Sequence, residues 1–480
     1  MSISEIGFGC YRIDISIKEH YDALYKALTS GINVVDTSSN YSDGGSEELV
    51  GNVLRDLISE NKLNRNELTL ITKGGYIQGQ NYKFAAKLKT EGKPFEDVTE
   101  FTEGLWHCIS PDFLEDQINR QLFRLDQEYI DIYLLHNPEY YLGWAKENKI
   151  DKSEANEIYY KRIKKAFEFL ESKVSEGRIL SYGISSNTFV VPSGEYDFTS
   201  LEKVFEIAKS ISDKHHFKTI QFPLNLFECG AVTIKNQEIN SKTVLEFAEE
   251  KGLTVFINRP LNAVTSKGLV RLSDFKWEAF QEKDFFKQLK LVSLMEDDLL
   301  NEKIPNEDPD KNIDEKDIAT LKKLLTFGNL IEENWKYFGS IEHYNDVITQ
   351  LLAPKISRII TIFDEKVSDP DLKDFSARYI RECYRLLNFV SNYYKMKADK
   401  RSKFIHSLID KNLDPEYKDL TLSQKTLLIL RSVAGVNCIL TGIRREVYVD
   451  DVLAVLNSEK IKNAKEIIQF VSKEIEYSDA

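Results

Sequence analysis

The chain has 480 residues, 42% of them apolar and 29% charged, and a formal charge of −13 at neutral pH, which describes a soluble globular protein too long for one minimal core. That negative balance argues against binding a nucleic-acid backbone, and no apolar run reaches the ~18 to 20 residues of a membrane span. Five scattered cysteines (Cys10, Cys108, Cys229, Cys383 and Cys438) form no C-x-x-C pair, which suits reduced thiols and neither a disulfide nor a metal framework.

The amino-terminal "MSISEIGFGC" has no basic stretch leading into an apolar core, so no secretory signal is expected and the location expected is cytoplasmic. From there β-branched runs alternate with amphipathic stretches. "EIGFGCYRI" (Glu5 to Ile13) reads as a first strand and "YDALYKALTSG" (Tyr21 to Gly31) as a helix closed by glycine. "INVVDTSS" is the second strand, "SEELVGNVLRDLISE" (Ser46 to Glu60) its helix with a serine near the cap, and "LTLITKGG" (Leu68 to Gly75) the third strand. A long loop, "GYIQGQNYKFAAKLKTEGKPFEDVTEFTEGLWHCIS", follows. "SPDFLEDQINRQLFRL" (Ser110 to Leu125) has a capping serine and a first-turn proline, and leads into "YIDIYLLHN" (Tyr129 to Asn137).

The rhythm continues through "ILSYGISSN" (Ile179 to Asn187), "TIQFPLN" (Thr219 to Asn225) and "LTVFINRPLN" (Leu253 to Asn262), each next to a helical segment. An eighth strand appears only at "NCILTGI" (Asn437 to Ile443), between the helical "SQKTLLILRSVAG" and "YVDDVLAVLNS". Eight β/α units predict an α/β fold of the (β/α)8 TIM-barrel type, formed by residues 1–263 and 421–480, with an inserted helical bundle over 264–420. "MEDDLLNEKIPNEDPDKNIDEKD" (Met295 to Asp317) reads as an acidic, disordered linker inside the insertion. The insertion leaves the barrel after strand seven, so it is expected either to wall the mouth of the barrel or to form a peripheral module for assembly.

Polar residues close successive apolar strands. Asp36 ends the second, with Tyr41 in the loop beyond; Lys73 ends the third and His136 the fourth. In a barrel this puts all four around one mouth. Singly they read as a turn acid, a surface tyrosine, a solvated lysine and a core histidine. Together they suit the protonation of a carbonyl oxygen. An ammonium beside a phenol lowers its pKa from about 10, a carboxylate keeps that ammonium charged, and a ring N–H orients the carbonyl.

The order Asp, Tyr, Lys, His within "VVDTSSNYSDGGSEELVG", "LTLITKGG" and "YIDIYLLHNPE" resembles the aldo-keto reductase family, whose signature runs "D-T-A…Y-G…S-E…-G". The resemblance extends over about Ile3 to Leu261 and Leu427 to Asn457. It implies a nicotinamide cofactor, NADP or NAD with NADPH favoured, at the barrel mouth. Ser185, Ser186, Asn187 and Gln221 would hold its carboxamide, Asn258 and Arg259 occupy the strand-seven end where the family often has a stacking aromatic, and Arg444 and Arg445 would contact the adenosine-side phosphates. Tyr448, Asp451 and Val452 stand where the family usually has an arginine and a Glu-Asn pair. Trp106 and His107 are candidates for the substrate pocket or for anchoring their loop. The resemblance implies an oxidoreductase acting on an aldehyde, ketone or sugar, or on the corresponding alcohol, with Tyr41 as general acid, Lys73 tuning it, Asp36 as charge partner and His136 as carbonyl orienter. The alternative is a cofactor-binding regulatory or scaffold protein, a role that some family members such as potassium-channel β subunits have.

Overall fold

Short runs of Val, Ile, Leu and Phe, flanked by glycine or polar turns, form the strands of a closed parallel barrel in the computed structural model, which describes residues 3–265, 268–304 and 315–479. In chain order the barrel strands are β1 (Ile6–Gly9), β2 (Val34–Asp36), β3 (Thr69–Gly74), β4 (Ile130–His136), β5 (Ile179–Ser185), β6 (Phe217–Pro223), β7 (Thr254–Asn258) and β8 (Cys438–Thr441). Each pairs in parallel with the next, and β8 closes on β1 through Ile6 opposite Ile439. The register sets Gly9 opposite Asp36, Lys73 opposite Leu134, and His136 opposite Ser185, itself opposite Gln221. The polar strand ends therefore gather at one rim.

The helices between the strands are α1 (Lys18–Thr29), α2 (Gly45–Ser59), α3 (Pro111–Leu125), α4 (Lys152–Ser175), α5 (Leu201–Ile211), α6 (Val244–Glu250) and α7 (Leu422–Arg431), with α8 (Glu446–Leu456) after β8. Their buried faces follow helical spacing, as in α2 with Leu49, Val50, Val53, Leu54 and Leu57. The serine expected to cap α2 does not. Gly44, in the left-handed region at φ 96°, takes the cap position, and Ser46 Oγ lies within the helix, 2.8 Å from Thr37 Oγ1 and 3.2 Å from the Cys10 carbonyl.

Two segments differ from expectation. The long loop after β3 contains a helix, Gly79–Thr90, and a three-stranded antiparallel sheet formed by Tyr76–Ile77, Leu105–His107 and Thr99–Thr102. These strands are only two to four residues long, too short for alternation to show in sequence. Of the acidic stretch Met295–Asp317, the first part continues helix Glu282–Asp298 into a wider turn, Leu299–Lys303, because Met295, Leu299 and Ile304 are buried apolar positions. Helix Glu315–Leu324 takes the last part, and 305–314 lies outside the described residues.

The chain divides into two compact units, one of Met1–Leu261 with Ile409–Ala480 and the other of Asn262–Leu408. The second starts at Asn262 rather than Val264, because Asn262–Thr265 pairs with Gly268–Arg271 as a hairpin. It ends at Leu408 rather than Leu420, within the 40-residue helix Pro370–Ile409. Beyond that point Asp410 pairs with Lys425 at 2.7 Å and the Asn412 carbonyl accepts from Asn463 at 2.7 Å, both partners belonging to the barrel unit.

The helical unit has its own core, including Phe285, Val292, Leu321, Phe327, Ile331, Tyr344, Ile359, Tyr379 and Leu386. Within it the buried Glu296 carboxylate accepts the Tyr379 hydroxyl at 2.7 Å and the backbone N–H groups of Phe327 and Gly328 at 2.5 and 3.1 Å, filling the first turn of helix Phe327–Asn334. Tyr344, Tyr379 and Tyr394 are buried in the same core.

In the barrel unit a second buried carboxylate ties helices to strands. Glu47 on α2 is wholly buried and accepts from Thr72 Oγ1 on β3 at 2.6 Å, Gln121 Nε2 at 2.8 Å and Arg124 Nε at 2.7 Å. Gln121 Nε2 also reaches the Lys73 carbonyl at 2.9 Å. Removing one partner of a buried pair strands the other charge, which costs about 3 to 5 kcal/mol. Arg124→Ala is therefore expected to lower the free energy of urea unfolding by about that amount, while Arg55→Ala, whose Asp126 contact at 3.5 Å is largely exposed, is expected to change it by less than about 0.5 kcal/mol.

Candidate functional site

Asp36, Lys73 and His136 lie at the carboxyl ends of β2, β3 and β4, and Tyr41 lies five residues beyond Asp36. Tyr41 opens a tight turn, Tyr41–Gly44, in which Ser42 and Asp43 adopt left-handed backbone at φ 48° and 53°. Ser42 Oγ donates to the Ile13 carbonyl at 2.7 Å and Asp43 Oδ1 accepts the Gln80 N–H at 2.9 Å, so the strained turn is held from two sides. It returns the phenol over the barrel mouth, where Tyr11 packs edge-on against it at 5.2 Å.

The Lys73 ammonium is the centre of the cluster. Its side chain is 0% exposed and donates to Asp36 Oδ2 at 2.7 Å, the Thr37 carbonyl at 2.9 Å and the Tyr41 hydroxyl oxygen at 3.3 Å. Those contacts use all three ammonium hydrogens. Because the Tyr41 oxygen accepts from lysine, and no acceptor meets its own hydrogen among the described residues, that hydrogen is left for a ligand. Asp36 is held in turn, its Oδ1 accepting from Gln221 Nε2 at 2.9 Å.

The phenol differs from expectation in one respect. Burial, followed by the Asp36 carboxylate, pushes Tyr41 well above the usual phenol value rather than lowering it. Lys73 stands closer to Asp36 than to Tyr41, so its charge is largely compensated before it reaches the phenol. Burial therefore favours the protonated hydroxyl here.

Burial, the Lys73 charge and His107 hold His136 well below its ordinary value, so its imidazole is neutral. Its Nδ1 lies 3.0 Å from Ser38 Oγ, and Tyr76 packs edge-on against the ring at 4.7 Å. Trp106 and His107 are both buried. His107, lowered to about 4 by burial, donates from Nε2 to the His136 carbonyl at 2.7 Å, and Trp106 packs on Tyr82. Both residues thus make contacts within the barrel unit, and His107 steadies the backbone of His136.

The second group of strand ends makes an amide-rich patch. Gln221 Oε1 accepts from Ser185 Oγ at 2.8 Å and Asn258 Nδ2 at 3.3 Å. Ser186 Oγ caps the turn Asn187–Val190 by accepting the Thr188 N–H at 3.1 Å. Asn258 Oδ1 is buried without a partner, and the Asn187 side chain makes no hydrogen bond among the described residues. An orphaned amide oxygen and an amide side chain without a partner among the described residues are groups of the kind that a carboxamide can pair with. Arg259, at φ 53°, pairs with Glu228 at 2.5 Å. Across the rim, Arg444 and Arg445 precede α8, and Arg445 lies 3.4 Å from Glu19. Val452 is buried in α8 while Tyr448 is exposed.

Sequence reasoning missed Ser38 and Glu139. Glu139 follows β4 in "HNPE", and its buried Oε1 accepts the Asn187 N–H at 2.7 Å. Burial pushes this carboxyl up to about 7. An acid just beyond a strand end was the available signal, but its partner lies 48 residues away. Ser38 was legible as a serine where the family signature has alanine.

Comparison with known proteins places the chain in a family. The model of the Aldo/keto reductase family matches residues 5–293. Among curated relatives, the uncharacterized oxidoreductase YqkF of Bacillus subtilis is 27% identical over 186 residues, 39% of this chain and 46% of that protein. The NADH-specific methylglyoxal reductase of Escherichia coli is 28% identical over 144 residues, 28% of this chain and 39% of that protein. The NAD(P)H-dependent D-xylose reductase of Scheffersomyces stipitis is 24% identical over 188 residues, 38% and 48% of the two chains. The chain thus spans less than half the length of each. No helix among the described residues is long and apolar enough to cross a membrane. With its closed barrel, its strand-end cluster and a family match over more than half its length, the chain belongs to the aldo/keto reductase family.

Proposed function

We propose that the protein is an NAD(P)-dependent oxidoreductase that interconverts a small carbonyl compound and its alcohol, with Tyr41 as the proton donor. The observation carrying this reading is the convergence of Asp36, Lys73, Tyr41 and His136, with the Tyr41 hydrogen meeting no acceptor among the described residues while lysine grips the phenol oxygen. A purely structural cluster has no use for that hydrogen. Bound reduced nicotinamide would supply the hydride, with Asn187, Gln221 and Asn258 holding its carboxamide and Arg444 and Arg445 facing its phosphates.

On this reading the substrate carbonyl oxygen accepts the Tyr41 hydrogen bond. As hydride adds to carbon, the π electron pair moves to oxygen and takes the Tyr41 proton. The phenolate left behind faces the ammonium 3.3 Å away, which stabilises it more in the transition state than the neutral phenol before it. Asp36 keeps Lys73 charged and oriented, and Gln221 fixes Asp36. The names of the curated relatives, one a methylglyoxal reductase and one a xylose reductase, support small carbonyl substrates.

Tyr41→Phe keeps the ring and its packing and removes only the proton. It is expected to retain cofactor affinity, read by nicotinamide fluorescence, and to lose ~10²- to 10⁴-fold in carbonyl reduction. Unchanged turnover would take Tyr41 out of the mechanism and favour a scaffold role.

Cofactor choice rests on the pair of arginines. Replacing Arg444 and Arg445 together with alanine is expected to weaken NADPH more than NADH, since only a 2′-phosphate adds charge there. Equal losses for the two cofactors would mean that neither arginine reads that phosphate.

A further inference from the structure

The turn Asn187–Val190, which follows β5, is held at both ends by groups from elsewhere in the barrel unit. At its far end Asn236 Nδ2 donates to the Phe189 carbonyl at 2.9 Å and the Val191 carbonyl at 2.7 Å. At its start the first two N–H groups need acceptors, since no earlier turn supplies them. Ser186 Oγ takes that of Thr188 at 3.1 Å, and Glu139 Oε1, reaching across from the loop after β4, takes that of Asn187 at 2.7 Å. The Asn187 side chain makes no hydrogen bond among the described residues, so its backbone alone aims it.

A neutral acceptor would satisfy that N–H. The chain places a carboxyl there instead, buried, with Oε2 meeting no hydrogen-bond partner among the described residues. The titratable groups that face it are Tyr159 on α4, Tyr76 beyond β3 and Asp197 in the loop after β5, none of them a cation. Burial opposes the ionised form, the N–H groups of Glu139 and Asn187 and the nearby Ser186 hydroxyl favour it, and Asp197 opposes it, which leaves the carboxyl at about 7.

Resting on the nicotinamide reading above, we propose that Glu139 is a positioning residue for the cofactor's carboxamide, its ionised carboxylate holding Asn187 in the orientation that receives that group and its protonated form holding it less tightly. A hydrogen bond to a carboxylate is roughly twice as strong as one to a neutral oxygen, so more molecules have Asn187 set for binding when Glu139 is ionised. Cofactor affinity scales with that fraction. Affinity therefore rises as pH climbs through the Glu139 range and levels off above it, and bound cofactor moves the midpoint to lower pH, as linkage requires.

The test measures NADH binding to the full chain by nicotinamide fluorescence from about pH 5.5 to about pH 8.5. NADH lacks the 2′-phosphate, which would itself titrate. The dissociation constant is expected to fall by roughly three- to tenfold, the difference between a charge-assisted and a neutral hydrogen bond, with a midpoint at about 7. Glu139→Gln keeps an acceptor without the charge, and is expected to bind as the wild type does at low pH and to lose the pH dependence. Asp197→Asn removes the opposing charge and is expected to move the midpoint to lower pH. In the cofactor-free chain labelled at asparagine, the ¹H–¹⁵N signal of the Asn187 backbone amide is expected to titrate with the wild-type midpoint. NADH bound with an affinity independent of pH overturns the proposal and leaves the redox reading standing. So does a Glu139→Gln profile that matches wild type, or an Asn187 amide that does not titrate. If Glu139→Gln does not fold, an unmoved midpoint in Asp197→Asn has the same force. If only NADPH binds, the comparison with Glu139→Gln cancels the phosphate's own titration. Failure to bind either cofactor overturns both the proposal and the redox reading.

Discussion

Burying one ammonium constrains the rest of the site. Lys73 is fully enclosed, and a buried charge without partners costs several kcal/mol. The barrel meets that cost with three acceptors supplied by neighbouring segments: the Asp36 carboxylate, the Thr37 carbonyl and the Tyr41 oxygen. Each contact follows from topology. In a parallel barrel adjacent strands end at one rim, so an acid closing β2 and a lysine near the end of β3 stand side by side.

The same ion pair orders the groups around it. Asp36 uses its second oxygen on Gln221, and Gln221 gathers Ser185 and Asn258, so the charged cluster and the amide patch form one network across β2, β3, β5, β6 and β7. Behind the rim, Glu47 and Gln121 brace Thr72 and the Lys73 backbone from α2 and α3. A site assembled from six strands, β2 to β7, needs such bracing, because a displacement of about 1 Å can remove much of the benefit of orientation.

Much of this was legible in the sequence, because apolar strands ending in Asp36, Lys73, His136 and Gln221 announce themselves one at a time and barrel topology brings them together. The inserted helical unit was legible from its helical periodicity, although its limits were not, since helix Pro370–Ile409 runs across the boundary at Leu408. What escaped were features set by three-dimensional proximity. Glu139 meets Asn187 across two loops, and the strands after Tyr76 are too short to show a period. The ionisation of Tyr41 also escaped. Sequence places an ammonium near the phenol, but only the distances reveal that Asp36 compensates the charge first.

The central claim is that Tyr41 holds its proton firmly until hydride arrives. It is tested most directly by the pH dependence of kcat/KM for carbonyl reduction at saturating reduced cofactor, with Tyr41→Phe as control. Because burial and Asp36 raise the phenol above its ordinary value, the protonated donor is fully populated through neutral and alkaline pH, and the rate should not fall until about pH 10 or beyond. A Tyr41-dependent fall with a midpoint near 7 to 8, on the order of two units below an ordinary phenol, would mean that lysine lowers the phenol in the working enzyme, and would contradict this account.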